Sequence, residues 1–435
     1  MGATLSEPIT TFDTTKGKSQ NLSWAMASMQ GWRIDMEDDH IILPNFTEDL
    51  ALFAIFDGHG GPEVAKVAAK LYPNFLKSNE FFKKKDYNRA LISSFEKFDL
   101  FMMSEAGRKV FMTDNLKVNG ELCAGSTAIV ALIEKNFKKS GKSGETEIGV
   151  TAYKDADLRN KNWNQHCDKI SEKVFDTKIK NDNKGKKWKI WIANAGDCRG
   201  LLVESENRVF ALNEEHKPMD SRERSRIEKA GGLIIKMRID ENLNLSRALG
   251  DFHYKSNYSI PFDEQLIISK PDIYEVVVDT EKSSYLFMGC DGVFEVLSDL
   301  EIARQVFKEK KKVIQETEDG PSLVDEIKEV IQNEKKQEDD NDDNNEILEN
   351  EEGESRSGES LESSAVKDSN NSVKDVINEN KSETKVEISD NEDEELNEML
   401  ENIKKVLNRT LAKPGQVTYG MGFDNMSAIC VKLSI

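Results

Sequence analysis

The sequence predicts an α+β fold, because strand patterns come in consecutive runs and helical patterns lie in pairs between those runs. Some runs are apolar throughout, as in FAIF at 53–56, which suits a buried sheet. Others alternate apolar and polar residues, as in LSWAMASMQG at 22–31. Repeated βαβ units would instead place one helix after each strand. The order therefore favours a mixed sheet architecture.

The predicted strands and helices cover most of the chain outside two polar segments. The predicted strands occupy residues 22–31, 50–56, 125–134, 188–195, 199–203, 207–212, 272–279, 284–290 and 426–434. The predicted helices occupy residues 62–76, 87–106, 220–230, 298–310, 321–335 and 393–412. Pro62 suits the start of its helix, and Gly231-Gly232 follow the end of another. The last predicted helix leads into the final strand, so we assign both to one domain.

The composition indicates a soluble protein without membrane spans or disulfides. The 435 residues carry a net charge of −20, with 37% apolar and 32% charged residues. No apolar run approaches the roughly 20 residues of a transmembrane helix, and the N-terminus lacks the apolar region of a secretory signal. The five cysteines form no C-x-x-C pair, so we expect reduced thiols in a cytosolic setting.

The negative charge is concentrated in one segment. Residues 337–395 hold 22 acidic and 5 basic residues, a net charge of −17, so the rest of the chain is close to neutral. Such a segment cannot bury enough apolar surface to fold, and we predict a disordered insert at 337–392. A second, Lys-rich insert at 138–187 has 13 basic and 8 acidic residues. Both inserts would interrupt one domain, 21–435, that follows an N-terminal arm, 1–20.

Acidic residues lie at the ends of several predicted strands. Asp57 and Asp291 each follow a strand, and Asp197 lies between two strands. Asp424 precedes the final strand, and GWRIDMEDDH at 31–40 places four acids in one turn after a strand. Clustered carboxylates raise each other's pKa unless a cation neutralises them. Oxygen ligands and the small number of histidines favour Mg²⁺ or Mn²⁺ over zinc.

Each of these motifs also has a purely structural explanation. An isolated Asp-Gly or GDCR is usually a turn. His59 alone is more often a hydrogen-bonded turn residue than a catalyst, and MEDD at 36–39 alone is a solvated cluster of charges. The order in which the motifs follow one another along the chain is what favours a functional interpretation.

Eight motifs in sequence order carry a family resemblance. They are SMQGWRIDMEDDH (28–40), FAIFDGHGG (53–61), GSTAIV (125–130), NAGDCRG (194–200), HKPMDSRERSRIEKAGG (216–232), LSRALGDF (245–252), MGCDGVFEV (288–296) and DNMSAI (424–429). Together they resemble the metal-dependent protein serine/threonine phosphatases of the protein phosphatase 2C family. The resemblance implies a central β-sandwich of two mostly antiparallel sheets, flanked by helices on both sides (α-β-β-α). It also implies metal ions in a cleft at one edge of the sandwich.

The resemblance implies a centre with two Mg²⁺ or Mn²⁺ ions. Asp57 would bridge the two ions, and the Gly58 carbonyl would bind one of them. Asp291 and Asp424 would bind the other ion. A water that bridges both ions would then attack the phosphorus of a phosphoserine or phosphothreonine. The resemblance therefore implies a protein serine/threonine phosphatase.

Further residues would surround the two ions. The resemblance implies that Glu37 and Asp38 hold metal-bound waters and that Asp197 contributes to a weaker third metal position. One departure concerns this third position. The family pattern C-D-G-x-W-D has a tryptophan and an aspartate where Phe294 and Glu295 stand here. The acid is kept but is longer, so its part at a third metal is open.

Three residues would act on the substrate. The resemblance implies that Arg33 binds the substrate phosphate and that His59 protonates the leaving serine or threonine oxygen. Arg238 falls where the family's flap carries an arginine that influences the substrate. Two further residues are predicted to be structural. Thr127 would support the site from its strand, and Asp251 would be a buried acid bonded to backbone.

The sequence can also be tested for the signatures of other functions. A cysteine-dependent phosphatase needs an arginine six positions after its cysteine, and no cysteine here has one. The other metallophosphatases carry a GNHE signature, which is absent. A catalytically inert family member that acts as a regulatory scaffold is the alternative, although the expected metal residues are intact. The acidic insert could also bind basic proteins, and no direct nucleic-acid binding is expected.

The N-terminal residues MGATLS fit the pattern M-G-x-x-x-[ST] for myristoylation of Gly2. One acyl chain gives only marginal membrane affinity, and no polybasic cluster follows it. We therefore expect a cytoplasmic protein that makes weak, reversible membrane contact when Gly2 is myristoylated. Its partners would be phosphoprotein substrates.

Overall fold

Two antiparallel β-sheets form the centre of the fold. The computed structural model describes residues 4–19, 22–113, 124–135, 146–153, 171–179, 187–279, 284–307, 383–415 and 421–434. The chain divides into two compact units, residues 1–309 with 385–435 and residues 310–384. The first unit contains both sheets.

The first sheet has six strands, and each neighbouring pair is antiparallel. In spatial order they are β1 (Thr4–Ser19), β2 (Leu22–Arg33), β18 (Met426–Leu433), β17 (Ser284–Gly289), β11 (Arg199–Ser205) and β12 (Arg208–Ala211). The last strand in sequence lies next to β2, which places the two ends of the domain side by side in the centre of this sheet.

The second sheet has seven strands, again with antiparallel neighbours. In spatial order they are β3 (Asp39–Leu43), β4 (Leu50–Phe56), β7 (Ala128–Glu134), β10 (Lys187–Ala195), β16 (Asp272–Asp279), β8 (Thr146–Tyr153) and β9 (Ser171–Ile179). Two small sheets complete the strands. They are β15 (Leu249–Gly250) with β6 (Gly125–Ser126) and β5 (Gly58–His59), and the hairpin of β13 (Ile234–Ile235) and β14 (Arg238–Ile239).

The alternation of side chains along β4 shows how the layers are built. Phe53 and Ile55 belong to the core that also holds residues of the six-stranded sheet, whereas Leu52 and Phe56 belong to a second core with helices. Successive side chains of a strand point to opposite faces, so this strand is covered on both sides. That is why its sequence is apolar throughout.

Helices cover both sheets. Helices α1 (Glu63–Ser78) and α3 (Tyr87–Met103) pack in the second core, with α2 (Glu80–Lys83) and α4 (Glu105–Thr113) beside them in sequence. Helix α7 (Asp299–Val306) and the C-terminal helix (Glu383–Thr410) pack with the six-stranded sheet. Helix α5 (Ser221–Lys229) lies between β12 and β13 in sequence, and the short α6 (Asp291–Phe294) follows β17. The predicted α-β-β-α sandwich is confirmed. Among the helices of the described residues, none is long and apolar enough to cross a membrane.

Most of residues 1–20, expected to form an arm, are instead an edge strand of the six-stranded sheet. Strand β1 pairs with β2 from Thr4 opposite Arg33 to Ser19 opposite Leu22. Most of its side chains are exposed, so its sequence carries no apolar period that would predict a strand. A Cβ at Gly17 would lie 2.4 Å from the Trp24 ring, so the ring packs directly on the glycine backbone.

The two predicted inserts have different outcomes. The Lys-rich insert, 138–187, contains β8 and β9, which extend the seven-stranded sheet beyond β16. The C-terminal helix begins at Glu383, so the last ten residues of the predicted disordered insert, 337–392, are helical. Acidic residues near a helix N-terminus are favourable, and a formed helix extends easily, which explains this earlier start. The rest of that insert and the predicted helix 321–335 lie outside the described residues.

Candidate metal centre

The site is assembled from loops that leave the two sheets at one edge of the sandwich. Arg33 is the last residue of β2, and Asp57 directly follows β4. Asp197 lies in the turn between β10 and β11, and Asp291 begins α6 just after β17. Asp424 lies two residues before the start of β18. Because neighbouring strands are antiparallel, the end of one strand and the start of the next meet at the same edge.

Three of the predicted acids form one cluster. Carboxylate oxygens of Asp57, Asp197 and Asp291 all lie within 4.8 Å of one another. Burial and then the neighbouring carboxylates raise the pKa of Asp57 and Asp291 well above the usual aspartate range. The cluster therefore carries more negative charge than its surroundings neutralise.

Asp38 joins this cluster from the loop after β2. Its Oδ2 accepts a hydrogen bond from Ser427 Oγ (2.7 Å), while its buried Oδ1 has no partner among the described residues. Burial, with repulsion from Asp424, raises the pKa of Asp38 to about 7. Asp38, Asp57 and the Cys290 sulfur also lie within 4.8 Å of one another. Burial raises the pKa of the Cys290 thiol well above its usual range, so it stays protonated and is a poor ligand.

The backbone at Gly58 lies so close to the Glu37 carbonyl that a side chain at position 58 would not fit. A Cβ on Gly58 would lie 2.3 Å from the Glu37 carbonyl oxygen, so this position requires glycine. Burial raises the pKa of Glu37 above its usual range. The glycine thus brings the acidic loop of Glu37 and Asp38 against the end of β4.

The donor set fits a hard divalent cation. Apart from the Cys290 sulfur, its atoms are carboxylate oxygens; one of them is buried without a partner among the described residues, and the acids repel one another. Mg²⁺ and Mn²⁺ prefer oxygen ligands, and either ion would remove the repulsion that raises these pKa values.

The predicted phosphate-binding arginine lies beside the acids. Arg33 Nη2 donates to Asp424 Oδ2 at 2.6 Å, and about a third of each side chain remains exposed. Asp424 Oδ1 accepts a hydrogen bond from the backbone of Asn425 (2.8 Å). The planar guanidinium has further N–H donors besides the one bonded to Asp424, and such a group suits a tetrahedral oxyanion.

Comparison with known proteins agrees with this geometry. The model of the family described as protein phosphatase 2C matches residues 23–148 and 150–339. The chain belongs to the protein phosphatase 2C family. Protein phosphatase 2C 1 of Paramecium tetraurelia is 35% identical over 306 residues, which cover 70% of this chain and 84% of that protein. A probable protein phosphatase 2C 21 of Arabidopsis thaliana is 30% identical over 311 residues, covering 72% and 82%.

A solved structure shares the fold. It is a phosphatase from a pathogenic strain of Toxoplasma gondii, with a TM-score of 0.53 and 20% identity. The match covers 97% of this chain and 95% of that chain. At this identity the likeness shows that the two chains have the same protein phosphatase 2C architecture.

The predicted acid, His59, has a partner that the sequence did not reveal. His59 Nε2 lies 2.8 Å from Asp251 Oδ2. Burial lowers the pKa of His59, but Asp251 outweighs burial, and the net effect raises it. Asp251 was expected to bond only to backbone. Its backbone does bond Ala124 and Tyr254, and its buried carboxylate faces His59.

The local backbone is shaped around this pair. Asp251 has a left-handed conformation with φ of 49°, which is uncommon for a residue other than glycine. The backbone N–H of Gly250 donates to the buried Asp99 of α3 at 2.7 Å, which holds the turn in place. A Cβ on Gly125 would lie within 2.4 Å of His59 and Asp251, so glycine is required there as well.

Two residues that the motif analysis did not single out also hold the site together. Asn425 accepts a hydrogen bond from the Glu37 backbone (2.9 Å) and donates to the carbonyls of Gln30 (2.8 Å) and Asp35 (3.1 Å), which ties the acidic loop to β18. Lys217 forms an ion pair with Asp197 at 2.5 Å. The asparagine lies within the motif DNMSAI and the lysine within HKPMD, but their partners are far away in sequence.

The remaining predicted residues lie around the cluster or apart from it. The backbone N–H of Thr127 donates to the Asp57 carbonyl (2.9 Å), as expected of a supporting residue. Burial, with repulsion from Asp424, raises the pKa of Glu295, so this longer acid belongs to the same electrostatic environment. Arg238 is exposed in the hairpin of β13 and β14 and donates to the Asn242 carbonyl (2.7 Å), within the flap. Gly2 lies outside the described residues.

Proposed function

We propose that the chain is a protein serine/threonine phosphatase that hydrolyses phosphoserine and phosphothreonine with two Mg²⁺ or Mn²⁺ ions. The observation that carries this proposal is the cluster of Asp57, Asp197 and Asp291 oxygens within 4.8 Å, with raised pKa values for Asp57 and Asp291 and with the Arg33–Asp424 ion pair nearby. A cleft that combines cation ligands with an anion-binding guanidinium suits the binding of a phosphate ester.

Each acid of the cluster has a separate task in this proposal. Asp57 and the Gly58 carbonyl would hold the ions from the end of β4, and Asp291 and Asp424 would hold them from the six-stranded sheet. Glu37 and Asp38 would accept hydrogen bonds from bound water, for which the partnerless Asp38 Oδ1 is available. When bound, the two ions would supply an activated water near neutral pH and would neutralise charge on the phosphoryl group.

Arg33 and His59 would act on the substrate itself. The guanidinium of Arg33, held by Asp424, would orient the phosphate oxygens through parallel N–H donors. His59, kept protonated by Asp251, would transfer its proton to the serine or threonine oxygen as the phosphorus–oxygen bond breaks. Asp251 would then stabilise the orientation of the neutral imidazole. Arg238 would contact the substrate from the flap.

The test is phosphate release from a phosphothreonine peptide with Mg²⁺, Mn²⁺ or excess chelator. We expect turnover with either ion and none in chelator. Asp57→Ala and Asp291→Ala should abolish turnover and keep the fold, as judged by far-UV circular dichroism. Asp49→Ala is the matched control, because Asp49 is an exposed aspartate at the opposite end of β4. Full turnover in chelator or by folded Asp57→Ala would refute the mechanism.

The same experiment distinguishes the alternative function. A regulatory scaffold would bind divalent ions and phosphopeptides but release no phosphate from any of them. The intact set of Asp57, Asp291, Asp424 and Arg33 favours the enzyme over the scaffold.

We also propose that the acidic segment influences the choice of substrate. Its net charge of −17 over 337–395 would attract basic proteins and repel acidic ones at low salt. Replacing 337–382, which holds 15 acidic and 4 basic residues, with a short Gly/Ser linker removes a net charge of −11 and keeps the whole C-terminal helix. This change should leave turnover of a small neutral phosphoester unaltered and reduce the preference for basic over acidic phosphopeptides. An unchanged preference would show that the segment is only a spacer.

We propose a cytoplasmic location with reversible membrane contact through a myristoylated Gly2. The supporting observation is the pattern MGATLS at the N-terminus. Intact mass measurement after co-expression with an N-myristoyltransferase, with Gly2→Ala as control, tests acylation. Sedimentation with lipid vesicles tests binding, and an unmodified mass would refute the proposal.

A further inference from the structure

A lysine ammonium lies directly on one acid of the candidate metal centre. Lys217 Nζ is 2.5 Å from Asp197 Oδ2 and 3.9 Å from Glu215 Oε2. Asp197 is 2% exposed, so its carboxylate has little access to solvent cations except through the cluster. The lysine side chain is about one-third exposed, so the ammonium enters the cluster from its solvent side.

The backbone that carries Lys217 is fixed against the turn that carries Asp197. The backbone N–H of His216 donates to the Gly196 carbonyl (2.9 Å), and the Gly196 N–H donates to His216 Nδ1 (3.2 Å). The other ring nitrogen of His216 lies 3.1 Å from the buried carboxylate of Asp272. The ammonium is therefore attached one residue beyond an anchored histidine and is aimed at Asp197 by the fold.

Asp197 lies where a third cation would have to bind. Its carboxylate is within 4.8 Å of those of Asp57 and Asp291, so an ion held by Asp197 and Asp291 would be additional to the two ions of the proposed centre. A tethered ammonium occupies the same oxygen without losing the translational freedom that a free ion loses on binding. It also carries one positive charge, which repels a divalent ion at the same place.

We propose that Lys217 serves as a resident cation on Asp197 and keeps a third divalent ion from binding tightly between Asp197 and Asp291. This inference rests on the proposed two-ion centre. Lys217 is thus a positioning residue: it neutralises Asp197 and sets the number of metal ions at two. The ions held by Asp57, Asp291 and Asp424 keep their places.

The substitution Lys217→Met tests this role, because methionine keeps most of the side-chain length and removes the charge. Asp197 would then be a buried acid with no ammonium, beside Asp291. We expect the variant to bind a third Mn²⁺ at least about tenfold more tightly than the native chain does. Bound Mn²⁺ is counted by electron paramagnetic resonance of the free ion during a titration, with isothermal calorimetry for the dissociation constants. This readout does not depend on turnover.

Three further variants localise the effect. Lys217→Met combined with Asp197→Asn should lose the tight third ion. Lys217→Arg retains a cation and should keep two tight ions. Lys189→Met is the matched control, because it removes an ammonium 3.0 Å from Glu275, a carboxylate of β16 outside the cluster. Its Mn²⁺ titration should be the same as that of the native chain.

The outcomes separate this inference from the proposed function. A native chain that binds no Mn²⁺ would refute the two-ion centre itself. A native chain that binds two ions, with an unchanged titration for Lys217→Met, would refute the role of Lys217 and leave the centre intact. Weaker binding of the first two ions by the variant would also refute it, because the lysine would then support those ions. If Lys217→Met does not fold, as judged by circular dichroism, Lys217→Gln decides by the same criteria.

Discussion

Replacing Asp57 by asparagine should make the metal-free protein more stable, although it destroys the proposed centre. Burial raises the pKa of the Asp57 carboxyl group, and repulsion from Asp291, Asp38 and further acids raises it more. Asparagine has the same shape and no charge. Its amide can donate a hydrogen bond to a nearby carboxylate such as that of Asp38, which lies within 4.8 Å. The substitution therefore removes repulsion without leaving a cavity.

The size of the effect follows from the distances. Two unit charges 4.8 Å apart, the limit for this cluster, repel by about 3 kcal/mol at an effective dielectric constant of about 20. If Asp57 instead takes up a proton at pH 7.5, the cost is about 5 kcal/mol for a group with an ordinary pKa near 3.9. Burial of the amide offsets about 1–3 kcal/mol of this gain. We expect a net stabilisation of about 2 kcal/mol.

The pH dependence has a definite sign. These carboxyl groups have a higher pKa in the folded than in the unfolded chain, so the folded state binds more protons. In the metal-free protein, this contribution to stability is fully present below the unfolded value near 4. It is lost as the pH rises through the folded value, which is about 7 for Asp38. Native protein in chelator should thus be more stable at pH 6 than at pH 8, and Asp57→Asn should show a smaller difference.

The assay is urea denaturation in chelator and in excess Mn²⁺, at pH 6 and pH 8. Native protein should gain stability on addition of Mn²⁺, by about 2.7 kcal/mol at a hundredfold excess over the dissociation constant. Asp57→Asn should gain much less. If Asp57→Asn is less stable than the native protein in chelator at pH 8, the cluster is not repulsive and the argument for a missing cation fails.

Two other substitutions test the groups around the cluster. Arg33→Ala should raise KM for a phosphopeptide by about 10–100-fold and weaken inhibition by phosphate, since charge-assisted hydrogen bonds contribute about 1.5–3 kcal/mol. If KM and phosphate inhibition are unchanged, Arg33 does not bind the phosphate. Asp99→Ala should lower the free energy of unfolding by about 3–5 kcal/mol, because it leaves the fully buried Lys255 ammonium, 2.7 Å away, without its carboxylate. The double variant with Lys255→Met should recover much of that loss in urea denaturation, and equal stability of Asp99→Ala and native protein would contradict the reasoning.

The buried strands could be predicted because burial leaves a pattern in the sequence. β4 is covered on both faces and is apolar at every position, so its ends were predicted at the observed residues. β1 could not be predicted in the same way. Its Ile9 is 39% exposed, and its pairing depends on β2 and on the contact of Gly17 with the Trp24 ring. An edge strand is stabilised mainly by its pairing with the neighbouring strand, and its own sequence carries no signal of that pairing.

The clustering of Asp57, Asp197 and Asp291 could be predicted because acids at strand ends on one edge of a sandwich lie close together. The His59–Asp251 pair could not, because it joins residues 192 positions apart and needs a left-handed turn at Asp251. The hydrogen bond from Gly250 to Asp99, which supports that turn, joins residues 151 positions apart and requires that α3 is folded. Such contacts depend on tertiary geometry that the motifs alone do not give.

The causes of the pKa shifts distinguish the acids of the candidate metal centre from two equally buried structural acids, Glu223 and Asp272. Burial alone would raise the pKa of Glu223 and Asp272, but Arg247 and neighbouring cations hold both well below the usual range. In Asp57 and Asp291 burial acts in the same direction, yet the nearest charges are other acids, and the pKa values rise. The protein therefore supplies its own cations to Glu223 and Asp272 and leaves a deficit of positive charge around Asp57 and Asp291 at the edge of the sandwich. Divalent ions would neutralise the excess negative charge there, so this excess is itself an argument for a metal centre at these acids.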